Sequence, residues 1–287
     1  MALVDPKNTI EVLKDTGFSF KKSLGQNFLI DESVLRKIID AACLTKEDCV
    51  LEIGPGIGTM TEALSEAAGR VIAVELDNRL IPILRENLRG RENVTVIQGD
   101  ILRTDIRKLS EEHCGGKPFK AVANLPYSVT TPALLKLLDE TAPILSATLM
   151  VQKEVAERMM ADPGTKAYGA LSLAVQYRAE ISVAANVPRN CFIPRPEVDS
   201  QVVHLQCFPE PPVRTEDPEL MFRLIRASFN ERRKTLVNGL SNGKIGYSKE
   251  EILRAVAALG KGEAVRGETL SLQDFTRLAD LFKNPEF

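Results

Sequence analysis

Asn124-Leu125-Pro126-Tyr127 follows the apolar run 119–123. It sets an amide, a rigid turn and an aromatic ring at the C-terminal end of an expected strand, the edge where open α/β sheets bind their ligands. These residue types fit the handling of an exocyclic amine on a nucleobase. The lone pair of such an amine is delocalised into the ring, so it is a poor nucleophile until acceptors hold its N–H groups. The Asn124 side-chain oxygen and the Leu125 carbonyl can accept those two hydrogens. Pro126 fixes the turn, and Tyr127 stacks on the base plane as aromatic rings do on splayed-out bases. A strand ending in an ordinary proline turn with a buried Tyr fits the same four residues. What accompanies them decides.

A second chemical stretch, Glu52-Ile53-Gly54-Pro55-Gly56-Ile57-Gly58-Thr59, follows the first strand of a β/α pattern and opens a helix. Glycines there let the backbone turn tightly and approach a ligand closely, and the helix start adds partial positive charge. The spacing is G-x-G-x-G, not the G-x-G-x-x-G of dinucleotide folds, and Glu52 stands two residues before the first glycine. That acid would repel a pyrophosphate but suits a cation such as a sulfonium or an ammonium. Glu75, 17 residues beyond Gly58, ends the second strand, where a carboxylate can accept both hydroxyls of a ribose. Asp100 closes the third strand, placed for the amino group of an adenine. One carboxylate at each successive strand end is a stronger signal than any glycine motif alone.

Those residues need a scaffold that delivers strand ends to one edge. Strands are expected at 49–53, 71–74, 94–97, 120–123, 147–151, 180–184 and 201–205. Helical patterns separate the first five, over 59–68, 78–89, 132–140 and 152–161, with a short helix near 105–110. Only the Pro-rich 188–196 joins the last two strands, so a hairpin-like antiparallel strand should close an otherwise parallel sheet. Upstream, an amphipathic helix occupies the first 20 residues, a polar-basic loop runs over 21–29, and Asp31 caps a helix in which Val34, Leu35, Ile38, Ile39 and Ala42 recur at helical spacing. Pro209-Glu210-Pro211-Pro212 reads as a linker. Helical patterns over 219–229, 234–240, 248–259 and 271–282 follow it, two of them opening on capping boxes at Ser248 and Ser271. The expected organisation is an α/β domain over 1–207 and a small all-α domain over 208–287.

Composition narrows the function classes. With 44% hydrophobic and 26% charged residues, the chain has the make-up of a packed globular protein. No apolar stretch approaches the ~18 residues of a membrane span, and the charged N-terminus lacks a secretory signal, so a cytoplasmic location without membrane association is expected. Five irregularly spaced cysteines point to reduced thiols. With two histidines, His113 and His204, neither at ligand spacing, no metal and no Ser-His-Asp triad is expected. Net charge is −2 and the pI about 5.9, so nucleic-acid binding would depend on local patches. Such patches are Lys21 and Lys22, Arg189 and Arg195, and the run Arg223, Arg226, Arg232, Arg233 and Lys234. No long apolar heptad calls for a permanent dimer, and a monomer is expected.

The order of these features resembles the class I S-adenosylmethionine-dependent methyltransferases, whose Rossmann-like sheet is seven-stranded and mostly parallel. Ser23-Leu24-Gly25-Gln26-Asn27-Phe28-Leu29, Glu52 to Gly58, Asn124 to Tyr127, and Phe192-Ile193-Pro194-Arg195-Pro196-Glu197-Val198-Asp199-Ser200, together and in this order, are similar to the ribosomal RNA adenine dimethyltransferases. The nearer likeness is to the bacterial small-subunit branch linked to kasugamycin sensitivity. The helical C-terminal domain extends the resemblance over nearly the whole chain. It implies S-adenosylmethionine as cofactor, with Asn27 and Leu29 closing over it, Gly54 and Gly56 at its methionine moiety, Glu75 at its ribose and Asp100 at its adenine. Asn124 would lie between cofactor and target base, and Phe192 would sandwich the flipped adenine against Tyr127. The implied substrate is a pair of adjacent adenosines in the 3′-terminal hairpin of 16S rRNA, within an immature small ribosomal subunit, with the C-terminal domain contacting RNA. A large-subunit rRNA adenine methyltransferase of the erythromycin-resistance type shares fold and tetrapeptide and is the first alternative, although such relatives are usually strongly basic. A small-molecule methyltransferase, favoured by the pI alone, and a non-catalytic RNA-binding or ribosome-assembly factor on the same fold are the others.

Overall fold

The computed structural model of the protein describes residues 3–16, 18, 25–139 and 141–284. Its strands in chain order are β1 (Phe28–Leu29), β2 (Cys49–Ile53), β3 (Arg70–Glu75), β4 (Val94–Gln98), β5 (Phe119–Asn124), β6 (Ile144–Gln152), β7 (Ala179–Val187), β8 (Phe192–Ile193) and β9 (Ser200–Cys207). Seven of them form one sheet in the order β4-β3-β2-β5-β6-β9-β7. The pairs from β4 through β6 are parallel, and β9 runs antiparallel to β6. This is the expected mostly parallel α/β sheet, with the return strand β9 inserted between β6 and β7.

β2 is buried at every position and β3 at all but its first, because helices cover both faces of a parallel sheet. That is why both read as continuous apolar runs, not as alternation. The helices of this part are α1 (Pro6–Asp15), α2 (Glu32–Ala42), α3 (Thr59–Ala67), α4 (Leu80–Asn87), α5 (Ile106–Cys114) and α6 (Thr130–Leu137). α2 buries Val34, Leu35, Ile38 and Ala42, and the Asp31 carboxylate accepts from the Val34 N–H at 3.1 Å, a cap worth about 0.5–2 kcal/mol. α6 begins at Thr130, two residues before the expected start at 132, and the Thr130 hydroxyl donates back to the Pro126 carbonyl at 3.1 Å. The chain steps outward from β2 through β3 to β4, then returns to the other side of β2 as β5. The reversal between β2 and β5 opens a crevice at their carboxyl ends, where such sheets bind ligands.

Two compact units are present. The first runs to Ala156 and takes in Ile181–Cys207; the second comprises Glu157–Glu180 and the chain from Phe208 onward. Residues 157–180 thus join the C-terminal helices, a different line from the single break at 207/208 drawn on the sequence. The second unit contains the second half of α7 (Lys153–Met160), then α8 (Ala170–Arg178), α9 (Pro218–Asn230), α10 (Leu236–Asn242), α11 (Lys249–Ala258) and α12 (Leu272–Leu281). Tyr168, Leu224, Ile225, Ile252 and Phe275 form its core, and the buried Tyr168 hydroxyl donates to the Leu270 carbonyl at 2.8 Å. Both capping boxes form: Ser248 with Glu251 (3.2 and 2.6 Å) and Ser271 with Asp274 (3.1 and 3.0 Å). α8 gave no helical signal in the sequence. It buries Leu171, Ser172, Leu173, Ala174, Val175 and Tyr177, so apolar residues surround its axis and leave no polar face to mark a period.

Candidate active site

A cleft of about 180 Å³ lies at the carboxyl ends of β2, β3 and β5. Its floor is the glycine loop after β2. Gly54, Gly56 and Gly58 all have left-handed backbone, with φ of 67°, 64° and 96°. The Gly54 N–H bonds to the Val74 carbonyl (2.9 Å) and the Gly58 N–H to that of Pro55 (3.0 Å), which locks the turn. A Cβ at Gly54 would meet nothing within 4 Å, so this backbone faces open cleft; one at Gly56 would lie 2.7 Å from Cε1 of Phe28.

Glu52 lies on the cleft wall, fully buried, and neither of its carboxylate oxygens has a hydrogen-bond partner among the described residues. Burial pushes its pKa up to about 8; the nearby Thr61 hydroxyl opposes this, although the pair falls short of hydrogen-bond geometry, and the Glu75 charge adds to it. An orphaned buried acid is costly unless something pairs with it. A cation entering the cleft would do so. Glu75 is also buried, and desolvation raises its pKa against the pull of two backbone donors. Those donors are the N–H groups of Gly56 (3.0 Å, to Oε2) and Asp77 (2.8 Å, to Oε1). One N–H on each oxygen fixes the carboxylate and leaves lone pairs for two hydroxyls. Asp100, half-buried at the end of β4, accepts from the Leu102 N–H at 2.9 Å.

On the β5 side, Nδ2 of Asn124 donates to the Asn27 carbonyl at 2.8 Å. That bond orients the amide and leaves Oδ1 as the acceptor. Leu125 is anchored by its N–H on the Met150 carbonyl (3.2 Å). The Tyr127 hydroxyl lies 3.0 Å from the Ser200 hydroxyl, and burial raises its pKa. Gly25 packs directly on this turn: a Cβ there would stand 3.6 Å from Cβ of Pro126.

Residues 25–29 of the N-terminal loop line the same cleft. Gln26 Nε2 donates to Asp77 at 2.9 Å, and Arg79 grips that carboxylate through Nε (2.9 Å) and a second nitrogen (2.5 Å). The Arg79 guanidinium, with Gln26 and against the cost of burial, holds the Asp77 carboxyl down at about 2. Arg79 also sits 4.8 Å from the centroid of Phe18, which meets Phe28 edge-on at 6.2 Å. Behind the cleft β1 pairs with β8, Phe28 with Ile193 and Leu29 with Phe192, so two sequence motifs far apart in the chain are sewn together.

The cleft therefore gathers Asn27, Leu29, Gly54, Gly56, Glu75, Asp100, Asn124, Leu125, Pro126 and Tyr127. Phe192 is not on its wall. The ring is 3% exposed and packs in the core beside Val34, Leu35 and Ile38, so the second stacking face expected of it is covered in this structure. Sequence reasoning gave no individual role to Gln26, Asp77 and Ser200, which act through hydrogen bonds between segments far apart in the chain. Lys21 and Lys22 lie outside the described residues. Of the remaining basic residues, Arg232 is tied to Glu268 (3.0 Å) and to the carbonyls of Thr165 and Lys166, Arg223 to the Ile245 carbonyl (3.1 Å) and Arg189 to the Glu197 carbonyl (3.0 Å). Arg195, Arg226, Arg233 and Lys234 are exposed. Among the described residues no cluster of His, Cys, Asp or Glu could hold a metal ion.

A left-handed glycine loop after the first sheet strand, an unpaired acid suited to a cation, and two further carboxylates at strand ends, Glu75 and Asp100, suit the groups of S-adenosylmethionine. With the seven-stranded, mostly parallel sheet they define a class I S-adenosylmethionine-dependent methyltransferase. The sequence model of the family described as "Ribosomal RNA adenine dimethylase" matches residues 17–273, and the chain belongs to that family. It is 55% identical to "Ribosomal RNA small subunit methyltransferase A" of Lachnoclostridium phytofermentans, over 97% of each chain. It is 49% identical to the protein of the same name from Geobacillus thermodenitrificans, over 97% of this chain and 96% of that one. Among solved structures it is similar to a dimethyladenosine transferase from Plasmodium falciparum, with TM-score 0.73 and 29% identity over 88% of this chain and 95% of that one. The 23S rRNA methyltransferase ErmE gives TM-score 0.67 and 26% identity over 90% of this chain and all of that one.

Proposed function

We propose that the protein uses S-adenosylmethionine to dimethylate N6 of two adjacent adenosines in the 3′-terminal hairpin of 16S rRNA during maturation of the small ribosomal subunit, acting as a monomer in the cytoplasm. The observation that carries this reading is the fixed amide of Asn124. Its Nδ2 is committed to the Asn27 carbonyl, so Oδ1 stands as an acceptor beside the cofactor acids and the Tyr127 ring. An exocyclic amine needs that acceptor. The large-subunit alternative has less support, because relatives at 47–55% identity carry a small-subunit name.

Bound cofactor supplies a methyl group already activated by its sulfonium, so the chain's task is positioning and polarity. Glu52 meets the cationic end of the ligand, Glu75 holds the ribose and Asp100 the adenine. Asn124 Oδ1 and the Leu125 carbonyl accept the two amine hydrogens and turn the lone pair toward the methyl group, and Tyr127 stacks on the base. Arg195, Arg226, Arg233 and Lys234 are the side chains available for phosphate contacts.

Asn124→Ala removes the oriented acceptor and should lower turnover by roughly 10²–10³, the usual cost of losing one preorganised polar group, while cofactor binding is partly retained. Methyl transfer to unmethylated small subunits, followed beside cofactor titration, measures both. Turnover at the parent rate would refute the amine-orienting role.

A further inference from the structure

The acceptor pair and the stacking ring do not share their work equally across two methyl transfers. Unmethylated N6 carries two hydrogens, enough for both Asn124 Oδ1 and the Leu125 carbonyl. In the first transfer the N6 lone pair forms the new C–N bond, the C–S bond of the donor breaks with its electron pair going to sulfur, and one N6 proton passes to solvent. N6-methyladenine keeps a single N–H, so one acceptor loses its partner and the base is held more by stacking. A second donor molecule and a second proton release complete the dimethyl product. Whatever fixes the Tyr127 ring therefore matters more in the second step than in the first.

One group outside the tetrapeptide fixes it. Ser200 is the first residue of β9, 2% exposed, and pairs with Gln152 of β6 in the antiparallel ladder. Its hydroxyl lies 3.0 Å from that of Tyr127. The preceding loop is closed on itself: Asp199 accepts from the Arg189 N–H at 3.0 Å, and the Asp199 carbonyl accepts from the Lys153 N–H at 3.0 Å. Ser200 thus sits on rigid sheet, while Tyr127 lies in the turn between β5 and α6. The Tyr127 ring, about half-buried, is anchored at the turn by its own backbone and at the far end by this hydroxyl alone among the described residues.

We infer that Ser200 is a positioning residue whose hydrogen bond to Tyr127 holds the stacking ring for the second methyl transfer, so that it governs the yield of dimethyl over monomethyl product. This rests on the adenine-dimethylation reading and on Tyr127 as the stacking platform.

The test is a time course on unmethylated small subunits with Ser200→Ala, Tyr127→Phe, the double variant and Tyr127→Ala, with N6-methyl- and N6,N6-dimethyladenosine quantified by mass and thermal unfolding recorded for each. Ser200→Ala and Tyr127→Phe break the same bond from opposite ends; Tyr127→Phe leaves the backbone and ring in place and serves if Ser200→Ala folds poorly. Both should slow the second transfer roughly three- to tenfold, the scale of one neutral hydrogen bond, and slow it more than the first. Monomethyladenosine should then accumulate, and the double variant should behave like either single one. Parent product ratios in both single variants, with Tyr127→Ala impaired, would overturn the inference and spare the platform. Equal slowing of both transfers would overturn it as well, assigning Ser200 a general structural role. Parent activity in Tyr127→Ala would instead remove the platform reading on which it rests.

Discussion

Glu52 is the residue on which the cofactor chemistry turns. An apolar strand ending in an acid reads from the sequence as a strand-end carboxylate. Only the structure shows it fully buried with both oxygens unpaired. With a pKa near 8 it is protonated in the ligand-free protein at neutral pH. Because the folded value lies above the ordinary 4.5, its contribution to stability is present below pH 4.5 and is lost as pH rises through about 8, where the unfolded chain binds fewer protons. A cationic ligand favours the carboxylate, so cofactor binding near pH 7 should release a proton and strengthen as pH climbs toward 9. Calorimetry in buffers of different ionisation heat counts that proton. Glu52→Gln should abolish the release and flatten the pH dependence; an unchanged proton count would clear Glu52 of the role. Asn124 and Tyr127 are candidates in the tetrapeptide, where an ordinary proline turn competes with them until the accompanying motifs are read. Their partners, the Asn27 carbonyl and the Ser200 hydroxyl, are not legible there, because no local spacing records a hydrogen bond made 97 or 73 residues away.

At the scale of elements, the glycine loop separates two demands. Gly54 and Gly56 share left-handed backbone, so an alanine at either position costs about 1–2 kcal/mol of conformational strain. Their surroundings differ: Gly54 faces open cleft, whereas a Cβ at Gly56 would drive into Phe28, which is buried against Ile57 and Leu80. Ligand-free Gly56→Ala should therefore melt below ligand-free Gly54→Ala, while Gly54→Ala should lose cofactor affinity out of proportion to its stability. Equal melting temperatures would mean that the Phe28 ring yields freely. Elements with a strong period or cap were legible before the structure, namely the sheet strands, α2 and the capped α11 and α12. α8 was not, because burial on all sides erases its period, and neither was the β1–β8 pair, since two residues per strand carry no alternation. Motif position placed the Phe192 ring at the target base; in this structure Phe192 is buried and belongs to the core cluster of Val34, Leu35 and Ile38.

For the whole molecule, an acidic chain that acts on RNA must spend its positive charge locally. The cluster 223–234 looked uniform in sequence, yet Arg223 and Arg232 are bonded within their own unit, leaving Arg226, Arg233 and Lys234 for a polyanion. The second unit is larger than its linker suggested, taking in Glu157–Glu180, because α8 is buried among the C-terminal helices. The α/β half was the more legible of the two, since parallel strands and crossover helices announce themselves in alternating runs. The most direct measurement is to incubate the purified protein and S-adenosylmethionine with unmethylated small subunits and, separately, with naked large-subunit RNA, then digest the RNA and identify methylated nucleosides by mass. N6,N6-dimethyladenosine from the small subunits alone is the expected result. Its absence there while the protein still binds cofactor, or its appearance in the large-subunit RNA, would contradict small-subunit adenine dimethylation.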